Sequence, residues 1–102
     1  MNLKSIHNIY FIGIGGVGMS ALASYFVAVG KTVGGYDLKP SGITDSLIEL
    51  GVRIQFEVSP SNIDQLFKDP SKTLVVFTPA VSQTNPLLSY FKSNSFQVLK
   101  RS

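Results

Sequence analysis

A chain of 102 residues with net charge +3, 44% hydrophobic and 15% charged residues has the size of one domain and enough apolar content for a core, which excludes an intrinsically disordered segment. Its nine Lys and Arg are scattered from Lys4 to Arg101 with no basic stripe of the kind that grips nucleic acid, so the positive bias suits a small anionic ligand. With no cysteine and a single histidine, a disulfide framework and a thiolate metal site are excluded and metal-binding capacity is small.

In chain order, Met1 to Asn8 is a short polar lead-in, and His7 is assigned no role. Ile9-Tyr10-Phe11-Ile12 is an apolar, β-branched and aromatic run that breaks into glycines and resumes as helix formers, which predicts a buried strand, a tight turn and a helix over Val17 to Val29. Gly13, Gly15 and Gly18 stand in G-x-G-x-x-G spacing at the head of that helix. The first turn of a helix leaves N–H groups unpaired and carries about half a positive charge, so a diphosphate satisfies both needs. Gly13 permits the sharp exit from the strand, Gly15 keeps a Cβ away from the phosphates, and Gly18 lets the helix pack closely on the sheet. A bare glycine pattern is a weak signal, and a turn with no ligand is its plain alternative.

The uncharged stretch from Ile9 to Gly30 also has the look of a signal peptide or a membrane span. Four glycines between residues 13 and 18 would each cost about 1 kcal/mol relative to Ala inside a helix, so a cytoplasmic domain with no membrane partner is the better expectation. The helix is apolar almost all round, which predicts burial against both a sheet and a neighbouring element, and Gly30 stops it.

Lys31 to Asp37 reads as a second strand ending in a carboxylate, 19 residues beyond Gly18, with Gly34 and Gly35 implying close backbone approach. Thr44 is the expected N-cap of a helix over Asp45 to Leu50, and Val52 to Phe56 an alternating strand. Pro60 to Phe67 reads as a helix capped by Ser59, and Thr73 to Thr78 as a second fully buried strand. Asn85-Pro86 opens a last helix to about Lys92, and Ser95 to Leu99 is the fifth strand.

Five strands alternating with four helices predict a single α/β domain over 1–102, a doubly wound, Rossmann-like parallel sheet of order 3-2-1-4-5. In such a sheet the ligand crevice lies outside the strand carboxyl ends where the order reverses, between the first and fourth strands. Three loops should meet there: Gly13 to Ser20, Asp37 to Lys39, and Thr78 to Val81, with Lys100 and Arg101 one strand further along.

Phe11 to Ser20, Gly35-Tyr36-Asp37, Thr78-Pro79-Ala80-Val81 with Asn85-Pro86, and Val98 to Ser102 closely resemble, in the same order, the N-terminal domain of the UDP-N-acetylmuramate–L-alanine ligases of the Mur ligase family. The resemblance implies a domain that binds the UDP part of UDP-N-acetylmuramate in peptidoglycan precursor synthesis, itself without catalytic or metal-ligating residues and without a cofactor. It implies that ATP, Mg2+ and L-alanine are bound by further domains. Carried over residue by residue, Gly15, Gly16, Val17 and Gly18 would cradle the diphosphate, Asp37 and Leu38 would lie by the uridine, and Thr78, Pro79, Ala80 and Val81 would border the sugar, with Gly13, Met19 and Ser20 also counted in the UDP-sugar site. Lys100 and Arg101 are secondary candidates. The family's Gly-His pair after the third strand is replaced by Glu57-Val58.

Two other readings stay open. A carboxylate at Asp37 is also what an NAD(P)-binding module of a dehydrogenase or regulator shows, and it can simply cap the loop that follows. A structural domain with an empty glycine loop is the third.

Overall fold

Residues 3–101 are described by a computed structural model, so Met1, Asn2 and Ser102 lie outside them. The alternation of side chains along a strand accounts for the core: in β1 (Asn8–Ile12), Ile9 and Phe11 point to one face of the sheet and Tyr10 and Ile12 to the other, and all four are buried. β4 (Thr73–Phe77) divides the same way, Leu74 and Val76 against Val75 and Phe77. Both strands read as continuous apolar runs because both faces are covered.

The remaining elements are α1 (Val17–Ala28), β2 (Thr32–Tyr36), α2 (Gly42–Glu49), β3 (Arg53–Gln55), two single 3-10 turns (Pro60–Asn62 and Gln65–Phe67), α3 (Pro86–Ser93) and β5 (Gln97–Lys100). The sheet has order β3-β2-β1-β4-β5 with every neighbouring pair parallel, as predicted. β1 is the hub, pairing Asn8 with Thr32 on one side and with Thr73 on the other. The two edges, β3 and β5, are three and four residues long.

α1 and α2 cover one face with Met19, Ala23 and Leu47 over Ile9, Phe11 and Leu74. α3 and the 3-10 turns cover the other with Phe67, Leu87, Leu88 and Phe91 over Tyr10, Ile12 and Phe77. Glycine in β2 is required by closeness: a Cβ at Gly34 would lie 2.6 Å from the Phe67 ring, and one at Gly35 would overlap the Phe11 carbonyl oxygen. The close approach expected there is therefore present on both faces.

Several boundaries differ from expectation, each for a local reason. The helix expected over Pro60 to Phe67 is instead the two 3-10 turns, because Ile63 takes extended backbone (φ −63°, ψ 127°) to bury its side chain and Asp64 then caps a fresh turn through Leu66 N–H. The described residues thus form three α-helices. Ser59 stands at the expected cap position without a side-chain cap bond. α2 starts three residues earlier than expected, with Ser41 rather than Thr44 as N-cap. Thr44 is the reciprocal partner, its N–H donating to Ser41 Oγ at 3.2 Å while its Oγ1 accepts from Ser41 N–H at 2.8 Å. β5 begins at Gln97 because Ser95 sits in the left-handed region (φ 67°), inside the turn.

α1 departs most in its surroundings. Of its residues only Met19 and Ala23 are buried, while Val17 is 82% exposed and Tyr25 58%. The sheet covers one side of the helix and the short α2 one flank, and nothing among the described residues covers its outer side. No helix among those residues is long and apolar enough to cross a membrane.

Candidate functional site

The three loops predicted to converge do so at the carboxyl ends of β1, β2 and β4. The turn after β1 depends on Gly13, whose φ of +91° is a backbone conformation open mainly to glycine. A Cβ at Gly13 would overlap Thr78 Cγ2 from the loop after β4, so the first and third loops touch at this point. Gly13 and Ile14 N–H both donate to Tyr36 O, at 2.8 and 3.0 Å, and fasten the glycine loop to the end of β2. Thr78 N–H donates to Ile12 O at 3.3 Å on the other side.

The resulting cleft has a volume of about 540 Å3. Gly13 and Gly16 form its floor, Asp37 and Leu38 one wall, Thr78, Ala80 and Val81 the other. Tyr36, Ser82 and Asn85 also line it and were not expected from the sequence. Asn85 carried a readable signal, since it precedes the helix-opening Pro86. As the cap of α3 its Oδ1 accepts from Leu87 and Leu88 N–H, so its side-chain NH2 is the group it can turn toward the cleft. Tyr36 and Ser82 carried none, being ordinary strand and loop residues in sequence.

The helix N-terminus itself is bare. Gly16 is the N-cap of α1 with no side-chain cap bond, and the first turn holds no acidic residue. Among the described residues the amides of Val17, Gly18 and Met19 therefore have no side-chain acceptor at the positive end of the helix. Gly15 is different: its N–H donates to Asp37 Oδ2 at 2.7 Å. A Cβ at Gly15 would lie 2.7 Å from that same oxygen. What glycine accommodates at 15 is thus the Asp37 carboxylate. Asp37 Oδ1 is only at the limit of Lys39 N–H, 3.5 Å away, so it remains accessible beside the cleft.

Gly18 also differs from expectation. The atoms nearest a Cβ there belong to the Arg101 guanidinium, not to the sheet. Arg101 is exposed, and its backbone N–H donates to Phe77 O at 2.8 Å, which aims its side chain from the end of β5 across the glycine loop. Among the described residues its guanidinium has no hydrogen-bond acceptor and the first turn of α1 no carboxylate. A cation thus stands against the positive end of a helix, an arrangement that an anion between them would relieve.

The other predicted residues are placed apart from the cleft wall. Met19 is buried in the core beneath α1, so its main-chain amide alone faces the loop. Ser20 Oγ donates to Val17 O at 3.0 Å and turns toward the flank of α1, while Val17 and Pro79 are exposed beside the cleft. Lys100 is exposed on the edge strand. Glu57 and Val58 lie away from the cleft, the Glu57 carboxylate accepting from Asn62 Nδ2 at 3.1 Å.

A wider groove of about 640 Å3 lies between α1 and α2, but its lining, which includes Ser20, Ser24, Ser41, Ser46 and Leu50, gives it no ionisable group. The smaller cleft is the one with chemistry. Among the described residues no three His, Cys, Asp or Glu side chains gather as metal donors.

Residues 8–102 match the family model described as "Mur ligase family, catalytic domain". The chain is 50% identical over 102 residues to the UDP-N-acetylmuramate–L-alanine ligase of Phocaeicola vulgatus, an alignment that takes in 100% of this chain and 22% of that protein. It is 52% identical over 103 residues to the protein of the same name from Flavobacterium psychrophilum, covering 99% of this chain and 22% of the relative. The crystal structure of UDP-N-acetylmuramate-alanine ligase from Thermotoga maritima superposes with a TM-score of 0.81 at 32% identity, over 92% of this chain and 20% of that one. The chain spans about a fifth of the length of the curated relatives it matches.

Proposed function

This chain belongs to the Mur ligase family, and on that premise we propose that it is the N-terminal domain of a longer cytoplasmic ligase, where it binds the UDP part of UDP-N-acetylmuramate. The reading extends to the whole protein as an ATP-dependent enzyme that joins L-alanine to that substrate in peptidoglycan synthesis. ATP, Mg2+ and L-alanine would be held by residues beyond these 102, since the sequence contains no G-x-x-x-x-G-K-[ST].

The observation that carries this reading is the convergence of the glycine loop that opens α1, the Asp37 carboxylate and the Thr78 to Val81 loop on one cleft at the sheet's switch point. The roles follow from chemistry. The amides from Val17 to Met19 suit the diphosphate, and Arg101 stands where it can add a charge-assisted bond to it. Leu38, 75% exposed on the rim, offers an apolar face to a uracil ring, while Asp37 Oδ1 can accept from a ribose hydroxyl or the uracil N–H. Nothing in this arrangement activates a nucleophile, so the domain's contribution is to hold one end of the substrate still while chemistry proceeds elsewhere.

The test is a calorimetric titration of the chain with UDP-N-acetylmuramate, UDP, NAD and NADP side by side. The UDP ligands should bind, and NADP worst of all because its 2′-phosphate meets the Asp37 carboxylate. Tighter binding of NAD than of UDP would replace this reading with an NAD-dependent module. Incubation with UDP-N-acetylmuramate, L-alanine, ATP and Mg2+ should yield no ligated product from this chain alone.

A further inference from the structure

The geometry points to Asp37 as a positioning residue: its Oδ2 locks the glycine loop through the Gly15 amide, and it is this carboxylate, not the phosphates, that requires glycine at position 15. Gly15 takes no positive φ, unlike Gly13, so its backbone would tolerate a side chain. The obstacle is spatial and comes from the chain itself. The nearest neighbours of a Cβ at 15 would be Asp37 Oδ2 at 2.7 Å and Asp37 Cγ at 3.1 Å, with Thr44 Cγ2 next at 3.4 Å. The same oxygen accepts the Gly15 N–H at 2.7 Å. A Cβ at 15 therefore pushes the Asp37 carboxylate out of the seat from which it accepts that bond.

Gly16 supplies the internal contrast. It has φ −67° and ψ 152°, ordinary extended backbone, and a Cβ there would approach nothing nearer than Gly13 O at 3.6 Å. The chain has no need of glycine at 16, which lies on the cleft floor. Two adjacent glycines thus have different causes, one internal and one facing the ligand space. With Gly15 N–H engaged by Asp37 and Gly16 N–H by Gly13 O, an entering diphosphate is offered the amides from Val17 onward, and the Asp37 bond holds those amides in register with the nucleoside side of the cleft. That last consequence rests on the nucleotide-binding reading; the bond itself does not.

Backbone amide exchange followed by NMR tests the lock without any ligand. In Asp37→Ala the Gly15 N–H should exchange roughly ten- to hundredfold faster than in wild type, the loss of one charge-assisted hydrogen bond. Asp37→Asn, which keeps an acceptor oxygen in place, should stay close to wild type. Unchanged exchange in the alanine variant, or an asparagine variant as fast as the alanine one, overturns the assignment. Melting temperatures of Gly15→Ala, Asp37→Ala and the double variant give the second arm. The double should melt no lower than the worse single, because both break the same bond, and additive losses refute the idea. Gly16→Ala should melt as wild type; a loss as large as that of Gly15→Ala also refutes it. UDP titration of the same proteins should show Asp37→Asn retaining affinity within a few-fold and Asp37→Ala losing roughly tenfold or more. If wild type binds no UDP ligand, the nucleotide reading falls while the exchange and melting arms still decide the lock.

Discussion

The two faces of the sheet are built from different materials. The face under α1 and α2 is aliphatic, with Ile9, Ile14, Val33, Leu47 and Leu74 around a single buried aromatic, Phe11. The face under α3 and the 3-10 turns is aromatic, with Tyr10, Tyr36, Phe67, Phe77, Phe91 and Phe96, and Phe91 stands within 4.8 Å of Phe96 and 5.1 Å of Tyr10 between ring centroids. Large rings fill the space over β1 and β4 on that side, so short 3-10 turns and an eight-residue helix suffice as cover. On the opposite side a glycine loop must approach the strand ends closely, and the small Ala23 is the buried contact in the middle of the covering helix. The lesson is a division of labour: the aromatic face holds the sheet together, and the aliphatic face yields packing volume to the loop that forms the cleft.

Phe91→Ala tests that division most severely. Removing a fully buried ring should lower unfolding free energy by about 3–5 kcal/mol in urea titrations, while the fraction still folded keeps its UDP affinity. A loss of affinity in the folded fraction would erase the distinction between the faces. Gly13→Ala acts at the junction with the site. The positive φ and the overlap with Thr78 should cost about 1–3 kcal/mol of stability and weaken UDP binding as the loop moves, read by melting and calorimetry together.

Arg101→Ala should move in the opposite sense, leaving the melting temperature unchanged and weakening UDP binding by roughly tenfold, about 1.4 kcal/mol. Because the guanidinium is exposed, the effect should shrink in high salt. A lowered melting point with intact affinity would make Arg101 part of the scaffold. The smallest effect concerns Tyr10, whose hydroxyl donates to Gln55 Oε1 at 2.8 Å. Burial first, and the nearby Tyr36 second, push its ionisation far above the ordinary tyrosine range. The unfolded chain then loses this proton near the ordinary value of 10.0 while the folded chain keeps it. Stability is accordingly full below pH 10 and falls as pH rises beyond it. Tyr10→Phe should remove that alkaline slope at a neutral-pH cost of about 1 kcal/mol for the hydrogen bond.

The sheet order was legible because β1 and β4 are continuous apolar runs separated by turn chemistry, and the glycine spacing marked the loop. Residues close in sequence gave signals of that kind. What escaped were arrangements made by distant residues. Asp37 and Gly15 are 22 positions apart, and Arg101 reaches Gly18 from the far end of the sequence, so neither contact leaves a local trace. The Pro60 to Phe67 segment has a helix-like beginning, but the burial of Ile63 outweighed propensity and split it. The all-round apolar pattern of α1 implied a cover that α2, with eight residues, is too short to provide.

The edge strands have a colloidal consequence. Every parallel sheet that is not closed presents unpaired main-chain groups at its margins, and such margins recruit strands from other molecules. Here the margins are three and four residues long and carry Arg53, Gln55, Gln97 and Lys100, so an incoming strand finds few bonds to make and a like charge at either border. Lateral growth into fibrils is thereby disfavoured even though the two strands at the centre, Ile9–Ile12 and Leu74–Phe77, are apolar enough to nucleate them if they were ever laid bare.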